Sequence, residues 1–292
     1  MVLADLELPN WDAVQKRDRL IGTSLTGWKD AMTILGFDED QEVELMRLLK
    51  NASRSEADAY SYYLRIPTPL LATTIKPEGT LSQVANNPIT GSPVSSGLHM
   101  SHAPYFIRRV RITSNDPLAK VAKDLGWTIH AEVGTMFNGQ AIFDESLLAT
   151  EDLLKAATTW VIDFPVYSGA KRSKQDTTVE EQFNTYFDFM TNYVEHNASN
   201  TIDIKADKGE WEKAEQIIWD NWDNFVGVSF LASDGGTYKL APYETISEET
   251  YHKMKAQMKP FDPTLLRKYE FEETTADLEN MESCSSGVCP IR

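Results

Sequence analysis

Short apolar runs separated by amphipathic stretches constrain this chain most. Leu71–Ile75, Tyr105–Ile112, Trp160–Val166 and Phe225–Leu231 are rich in β-branched and aromatic residues and read as strands. Between them lie segments with helical spacing. The longest covers 38–65, where Leu45, Leu48, Leu49 and Ala52, then Ala59, Tyr62 and Tyr63, recur on one face behind an Asp38 cap. Helices are also expected over 116–125, 178–195, 211–222 and 248–258, and over 11–36 with breaks at Gly22 and Gly27. Strands alternating with helices imply an α/β architecture, and continuous apolar runs imply buried, mainly parallel strands. From about Glu270 the pattern lapses into an acidic stretch that reads as a flexible tail, giving a division into 1–269 and 270–292.

The charge balance narrows the partners. With 44 acids against 28 bases the net charge is −16, which argues against nucleic acid. A small anion at one local site remains open. No apolar run approaches the ~20 residues of a membrane span, and the acidic N-terminus lacks a signal peptide's basic start. A cytoplasmic protein is the expectation, with no membrane partner.

Four stretches have chemistry to offer. In Thr73–Val84, Pro77 suits a first helical turn, leaving the amides of Glu78, Gly79, Thr80 and Leu81 as unpaired donors at a helix start. Thr80 and Ser82 add hydroxyls. That describes a phosphate or carboxylate site, with a capped turn lacking any ligand as the plain alternative. His99 and His102 stand three apart, but no Asp, Glu or Cys beside them completes a metal set, so hydrogen-bonding histidines are favoured over ligands and no metal is expected. Arg108, Arg109 and Arg111 alternate with aromatic and β-branched residues; in so acidic a chain ion pairing is the favoured role.

The fourth stretch holds the only cysteines, Cys284 and Cys289, five apart near the end of the acidic tail. A zinc half-site would need further ligands, and a permanent disulfide would close only a very short loop in a reducing compartment. An accessible pair suits thiol–disulfide exchange.

Taken together, Thr73–Ser82, Ser95–His99 and Tyr105–Ile112 resemble class II ribonucleotide reductase, the adenosylcobalamin-dependent family that converts ribonucleotides to deoxyribonucleotides. Ile21–Trp28, Trp222–Ser229 and the closing Cys-x4-Cys-Pro-Ile-Arg follow in the family's order. The resemblance implies the C-terminal portion of a ten-stranded α/β barrel followed by a redox tail. It implies that Glu78, Gly79, Thr80, Leu81 and Ser82 contact the phosphates of a nucleoside di- or triphosphate. Cys284 and Cys289 would re-reduce the active-site disulfide and be recharged by thioredoxin or a similar dithiol donor.

The radical cysteine, the oxidised pair and most cobalamin contacts would then belong to an N-terminal reductase segment. Met1 at the head of a helix-rich start suggests a separately encoded piece of a split enzyme, a processed or truncated fragment being the other reading. About twenty residues of tail give a coil span of roughly 25 Å and a maximum near ~65 Å. Rival readings are a non-catalytic, partner-binding or assembly fragment, and a free-standing thiol–disulfide redox module.

Overall fold

A computed structural model describes residues 3–232 and 239–269. Cys284 and Cys289, and with them the expectation of a redox tail, lie outside the described residues.

In chain order the elements are α1 (Pro9–Asp18), α2 (Trp28–Leu35), α3 (Glu39–Leu64), β1 (Tyr105–Thr113), α4 (Pro117–Asp124), β2 (Ile129–Ala131), β3 (Met136–Phe137), β4 (Gln140–Ala141) and α5 (Glu151–Ala156). Then follow β5 (Thr159–Tyr167), α6 (Val179–Asn192), β6 (Thr201–Ile204), α7 (Glu210–Asp220), β7 (Ser229–Ala232), β8 (Tyr243–Thr245) and α8 (Glu248–Gln257). The chain divides into two compact units, each discontinuous: Met1–Pro104 with Tyr167–Gly236, and Tyr105–Val166 with Thr237–Arg292.

In the first unit the core is built on α6. Val179, Phe183, Tyr186 and Phe189 recur every three or four residues, so they share one face, and all are fully buried. Thr178 fixes the start of this helix: its hydroxyl accepts from the Glu181 amide, and the Glu181 carboxylate accepts from the Thr178 amide. Trp28 of α2 meets Phe189 edge-on at 5.0 Å, and Met46 of α3 joins the same cluster. The strands of this unit are short and parallel. β6 pairs with β7 from Thr201↔Ser229 to Ile204↔Ala232, and single parallel bridges link Thr23 to Thr73 and Ile75 to Ala198.

The second unit holds a four-stranded sheet in the order β2-β5-β1-β8. Here the expectation of mainly parallel strands fails, because β1 pairs antiparallel with β8 and β2 antiparallel with β5. Trp160, Val161 and Ile162 are consecutive and all buried, so both faces of β5 are covered. Apolar runs report such two-sided burial, and direction does not follow from it.

Arg109 and Arg111 of β1 form ion pairs, whereas Arg108 lies over the Tyr243 ring at 4.6 Å and donates to the Arg109 and Pro242 carbonyls. Arg109 Nε donates to Asp163 Oδ1 at 3.0 Å and its Nη1 lies 2.6 Å from Glu244, while Arg111 reaches Glu132 at 3.0 Å. Among the described residues no helix is long and apolar enough to cross a membrane.

Candidate functional site

Three of the sequence motifs converge within the first unit. Ile21–Ser24 runs alongside Leu71–Lys76: the Ile21 and Thr23 amides donate to the Leu71 and Ala72 carbonyls, and the Thr74 amide donates to the Thr23 carbonyl. Gly22 permits this approach, since a Cβ there would sit 2.7 Å from Thr74 Cγ2. Ser24 then accepts the Lys76 amide on its hydroxyl at 2.9 Å, at the end of the paired stretch. The third motif is clasped by α2. Gly27 and Trp28 donate to the carbonyls of Ser95 and Gly97, and Asp30 accepts from the Ser95 amide at 2.7 Å and the Ser101 hydroxyl at 2.9 Å.

Gly97 brings that loop against the Lys76–Pro77 turn. Its φ is +50°, and a Cβ would stand 2.9 Å from the Lys76 carbonyl oxygen. Only glycine fits both demands. On the other flank Asn197 receives the Thr74 hydroxyl and the Ile75 amide on its carbonyl. Its side chain reaches the Gly227 carbonyl, and Tyr186 joins the network by donating its hydroxyl to Asn197. The Trp222–Ser229 stretch therefore lies one hydrogen-bonded residue from the Thr73 strand.

The Pro77–Ser82 turn is not the helix start that its sequence predicts. Only Leu81–Gln83 forms a single 3-10 turn, so the dipole contribution of a long helix is missing. Glu78 takes a left-handed φ of +52°, and its carbonyl accepts the Ser82 amide at 2.9 Å. Ser82 is fully buried, with its hydroxyl donating to the Gly79 carbonyl at 3.2 Å.

The amides of Gly79, Thr80 and Leu81 make no hydrogen bond among the described residues, and all three residues are exposed. Nothing lies within 4 Å of where a Gly79 Cβ would be. Three successive open donors offer an approaching anion three N–H partners. The Glu78 carboxylate works against it: Oε2 is buried without a hydrogen-bond partner. Its charge, after burial, helps to push the Tyr193 phenol up from its ordinary value.

His99 is held in one tautomer. Its Nδ1–H donates to the Ser96 carbonyl at 2.8 Å and its Nε2 accepts the Thr201 amide at 3.2 Å. Burial, with Lys174 nearby, pushes its pKa below the ordinary imidazole value, as the acceptor role demands. Among the described residues no group of three or more His, Cys, Asp or Glu is placed to hold a metal ion.

A cleft of about 860 Å3 opens on α2 and α6 in the same unit. Its charges are largely paired with one another: Lys29 with Glu42, Arg172 with Glu181 and Lys174 with Asp203. Such a lining offers little net attraction to a phosphate, which leaves the Gly79–Leu81 amides as the better candidate for an anion. Ser24, which lies in the Ile21–Trp28 motif, and Asp30 and Asn197, which lie in none of the quoted motifs, hold the surrounding stretches together.

No family model matches the chain. Curated proteins do. An adenosylcobalamin-dependent ribonucleoside-triphosphate reductase of Lactobacillus acidophilus is 25% identical over 309 residues, covering 97% of this chain and 38% of that protein. A protein of Dictyostelium discoideum, named as a probable adenosylcobalamin-dependent ribonucleoside-triphosphate reductase, is 25% identical, covering 98% of this chain and 34% of its own length. The chain is homologous to part of a class II ribonucleotide reductase.

It spans little more than a third of the length of these relatives. A crystal structure of a B12-dependent class II ribonucleotide reductase superposes with a TM-score of 0.69 at 22% identity, over 88% of this chain and 35% of that one. The α/β fold of the reductase is thus common to both.

The residues described here do not by themselves fit adenosylcobalamin. A corrin needs a broad, continuous apolar face, and in the large cleft Met32, Phe37, Leu98 and Phe187 are interrupted by the Arg172–Glu181 and Lys174–Asp203 ion pairs.

Proposed function

We propose that the chain is the C-terminal part of an adenosylcobalamin-dependent ribonucleotide reductase, completed by an N-terminal reductase segment. The observation that carries this reading is the meeting of Ile21–Ser24, Thr73–Leu81 and Ser95–His99 at one end of the parallel strand segments. Open α/β and barrel folds place ligands at the carboxyl ends of their strands, and three open amides stand there. Gly79, Thr80 and Leu81 would receive a nucleotide phosphate on their N–H groups, with Glu78 and Ser82 holding the turn. The relatives' names favour a ribonucleoside triphosphate as the substrate.

Reduction of a ribonucleotide by a dithiol yields a deoxyribonucleotide, water and a disulfide. Cys284 and Cys289, in residues 270–292, are assigned the next step. One thiolate attacks the active-site disulfide, the second resolves the mixed disulfide, and the tail pair leaves oxidised. Thioredoxin or a similar dithiol donor restores it, and a cytoplasmic enzyme is proposed in keeping with such a donor. Adenosylcobalamin would supply radical chemistry when bound, and its contacts are assigned mainly to the N-terminal segment.

Reconstitution tests the proposal. The chain is combined with the polypeptide carrying the remaining reductase motifs, adenosylcobalamin and a dithiol, and deoxyribonucleotide formation is measured. Product from the mixture, and from neither part alone, is expected. No product from the pair under conditions where both are folded would refute the reading.

A further inference from the structure

In the second unit, the stretch that leads from α8 towards the cysteines is fastened to the end of α4. Trp127, just beyond α4, takes hold of it first. Its indole N–H donates to the Lys259 carbonyl at 2.8 Å, and its ring meets Phe261 at 6.1 Å. Asp262 then caps the Pro263–Leu266 turn, accepting the Thr264 amide and hydroxyl at 2.9 and 2.7 Å. Beyond the turn, Lys268 and Tyr269 both donate to one oxygen of Asp124, the last residue of α4, at 2.8 and 2.5 Å. The Lys268 and Lys120 ammonium groups lie 4.8 and 5.5 Å from the centre of the Tyr269 ring.

A carboxylate at a helix C-terminus faces the negative end of the dipole, so Asp124 is poorly placed for α4 itself. Its two partners compensate. The bond from Lys268, then that from Tyr269, holds the Asp124 carboxyl below its ordinary range, and Lys268 is raised in return. An exposed ion pair alone contributes little. Here one carboxylate accepts two donors, and Trp127 and Asp262 have already turned the backbone towards it, which lowers the entropy lost on closing the contact.

We infer that Asp124 is a positioning residue for the thiol relay: by clasping Lys268 and Tyr269 it fixes where the tether to Cys284 and Cys289 begins. The inference rests on the reading above that these cysteines re-reduce the active site. Without the clasp the tether starts at the end of α8. Cys284 follows Gln257 by twenty-seven positions and Tyr269 by fifteen. Fully extended, those lengths reach at most ~90 Å and ~50 Å. The clasp removes the longer excursions. At any target that the shorter tether can span, it raises the local concentration of the thiols by about two- to threefold, following the three-halves power of length. Asp124 meets no reacting atom in this scheme and acts through the tether's origin alone.

The test lengthens the chain on either side of the clasp, in the enzyme reconstituted with the remaining reductase segment. About ten Gly and Ser residues are inserted between Met258 and Lys259, or between Glu273 and Thr274. Turnover is measured with thioredoxin and with a small dithiol. The insertion before the clasp should leave thioredoxin-dependent turnover unchanged, and the one after it should lower turnover about twofold. Asp124→Ala, and separately Lys268→Gln with Tyr269→Phe, should lower it about two- to threefold and make the two insertions equivalent. The small dithiol should register none of these differences. In the full chain alone, trypsin should cut after Arg267 about tenfold faster in Asp124→Ala, since cleavage follows the opened population. Insertions that act alike in the otherwise unaltered chain, or variants that lose turnover equally with both reductants, overturn the positioning role and leave the reductase reading standing. Unchanged cleavage after Arg267 overturns the clasp itself. Full thioredoxin-dependent turnover in the Cys284→Ser, Cys289→Ser pair removes the relay, and the role of Asp124 falls with it.

Discussion

A Cβ at Gly97 would collide with the Lys76 carbonyl, and a Cβ at Gly22 with Thr74, so two glycines set how closely three stretches can approach. Both lie inside motifs visible in the sequence, and their spatial partners do not. Asp30 illustrates the limit further: its two acceptor bonds go to residues 65 and 71 positions away, so no local pattern marks it. His99 is legible only as a histidine; its tautomer is fixed by Ser96 beside it and by Thr201 far along the chain.

The pH dependence follows from that fixing. His99 and His102 both have folded pKa values below the ordinary imidazole value, chiefly through burial. A base with a depressed folded pKa leaves the native state short of protons relative to the unfolded chain. Its stabilising contribution is therefore complete above about pH 6.5 and is lost as pH falls below it. Urea unfolding from about pH 7.5 to about pH 5.5 should show falling stability, and His99→Gln should flatten part of that slope. A slope identical in the variant would mean that His99 does not contribute.

Among the elements, those defined by local rules were the easiest to read. Asp38 caps α3 with Gln41 in a capping box, and Thr178 caps α6 with Glu181. The expected spans of 38–65 and 178–195 correspond to Glu39–Leu64 and Val179–Asn192. The Pro77 turn carried the same kind of signal and yielded one 3-10 turn, because Val94 donates to the Ser82 and Ala85 carbonyls and folds the chain back at once.

Asn138-Gly139, both with positive φ, close the β3–β4 hairpin, a signal present in the sequence that the broader strand–helix reading passed over. Strand direction needed contacts between residues far apart. Arg109 of β1 and Asp163 of β5, buried at 6% and 4%, show what one such contact holds. Replacing Arg109 with Met removes the guanidinium from Asp163, leaving the His130 ring, 3.1 Å away, as its remaining side-chain partner. The expected loss is about 3–5 kcal/mol in urea or thermal unfolding, because an uncompensated charge stays buried. A loss below about 1 kcal/mol would show that water or rearrangement replaces the pair.

At the scale of the molecule, 292 residues carry one portion of a fold more than twice their length, and the division of labour assigned to them turns on the tail. If Cys284 and Cys289 only decorate the chain, changing both to Ser leaves turnover untouched with every reductant. If they relay electrons, the outcome depends on the donor. Thioredoxin is a folded protein, too bulky to reach a disulfide enclosed in a barrel, so without the relay each active site stops after about one turnover. A small dithiol enters directly and sustains repeated turnover in the same variant. The measurement is product per active site in the reconstituted enzyme, wild type against the Cys284→Ser, Cys289→Ser pair, with each reductant in turn. Equal loss with both donors would place the cysteines in the structure of the active enzyme; equal activity with both would remove them from the reaction. A loss confined to thioredoxin is what a relay requires, since only the relay distinguishes reductants by size.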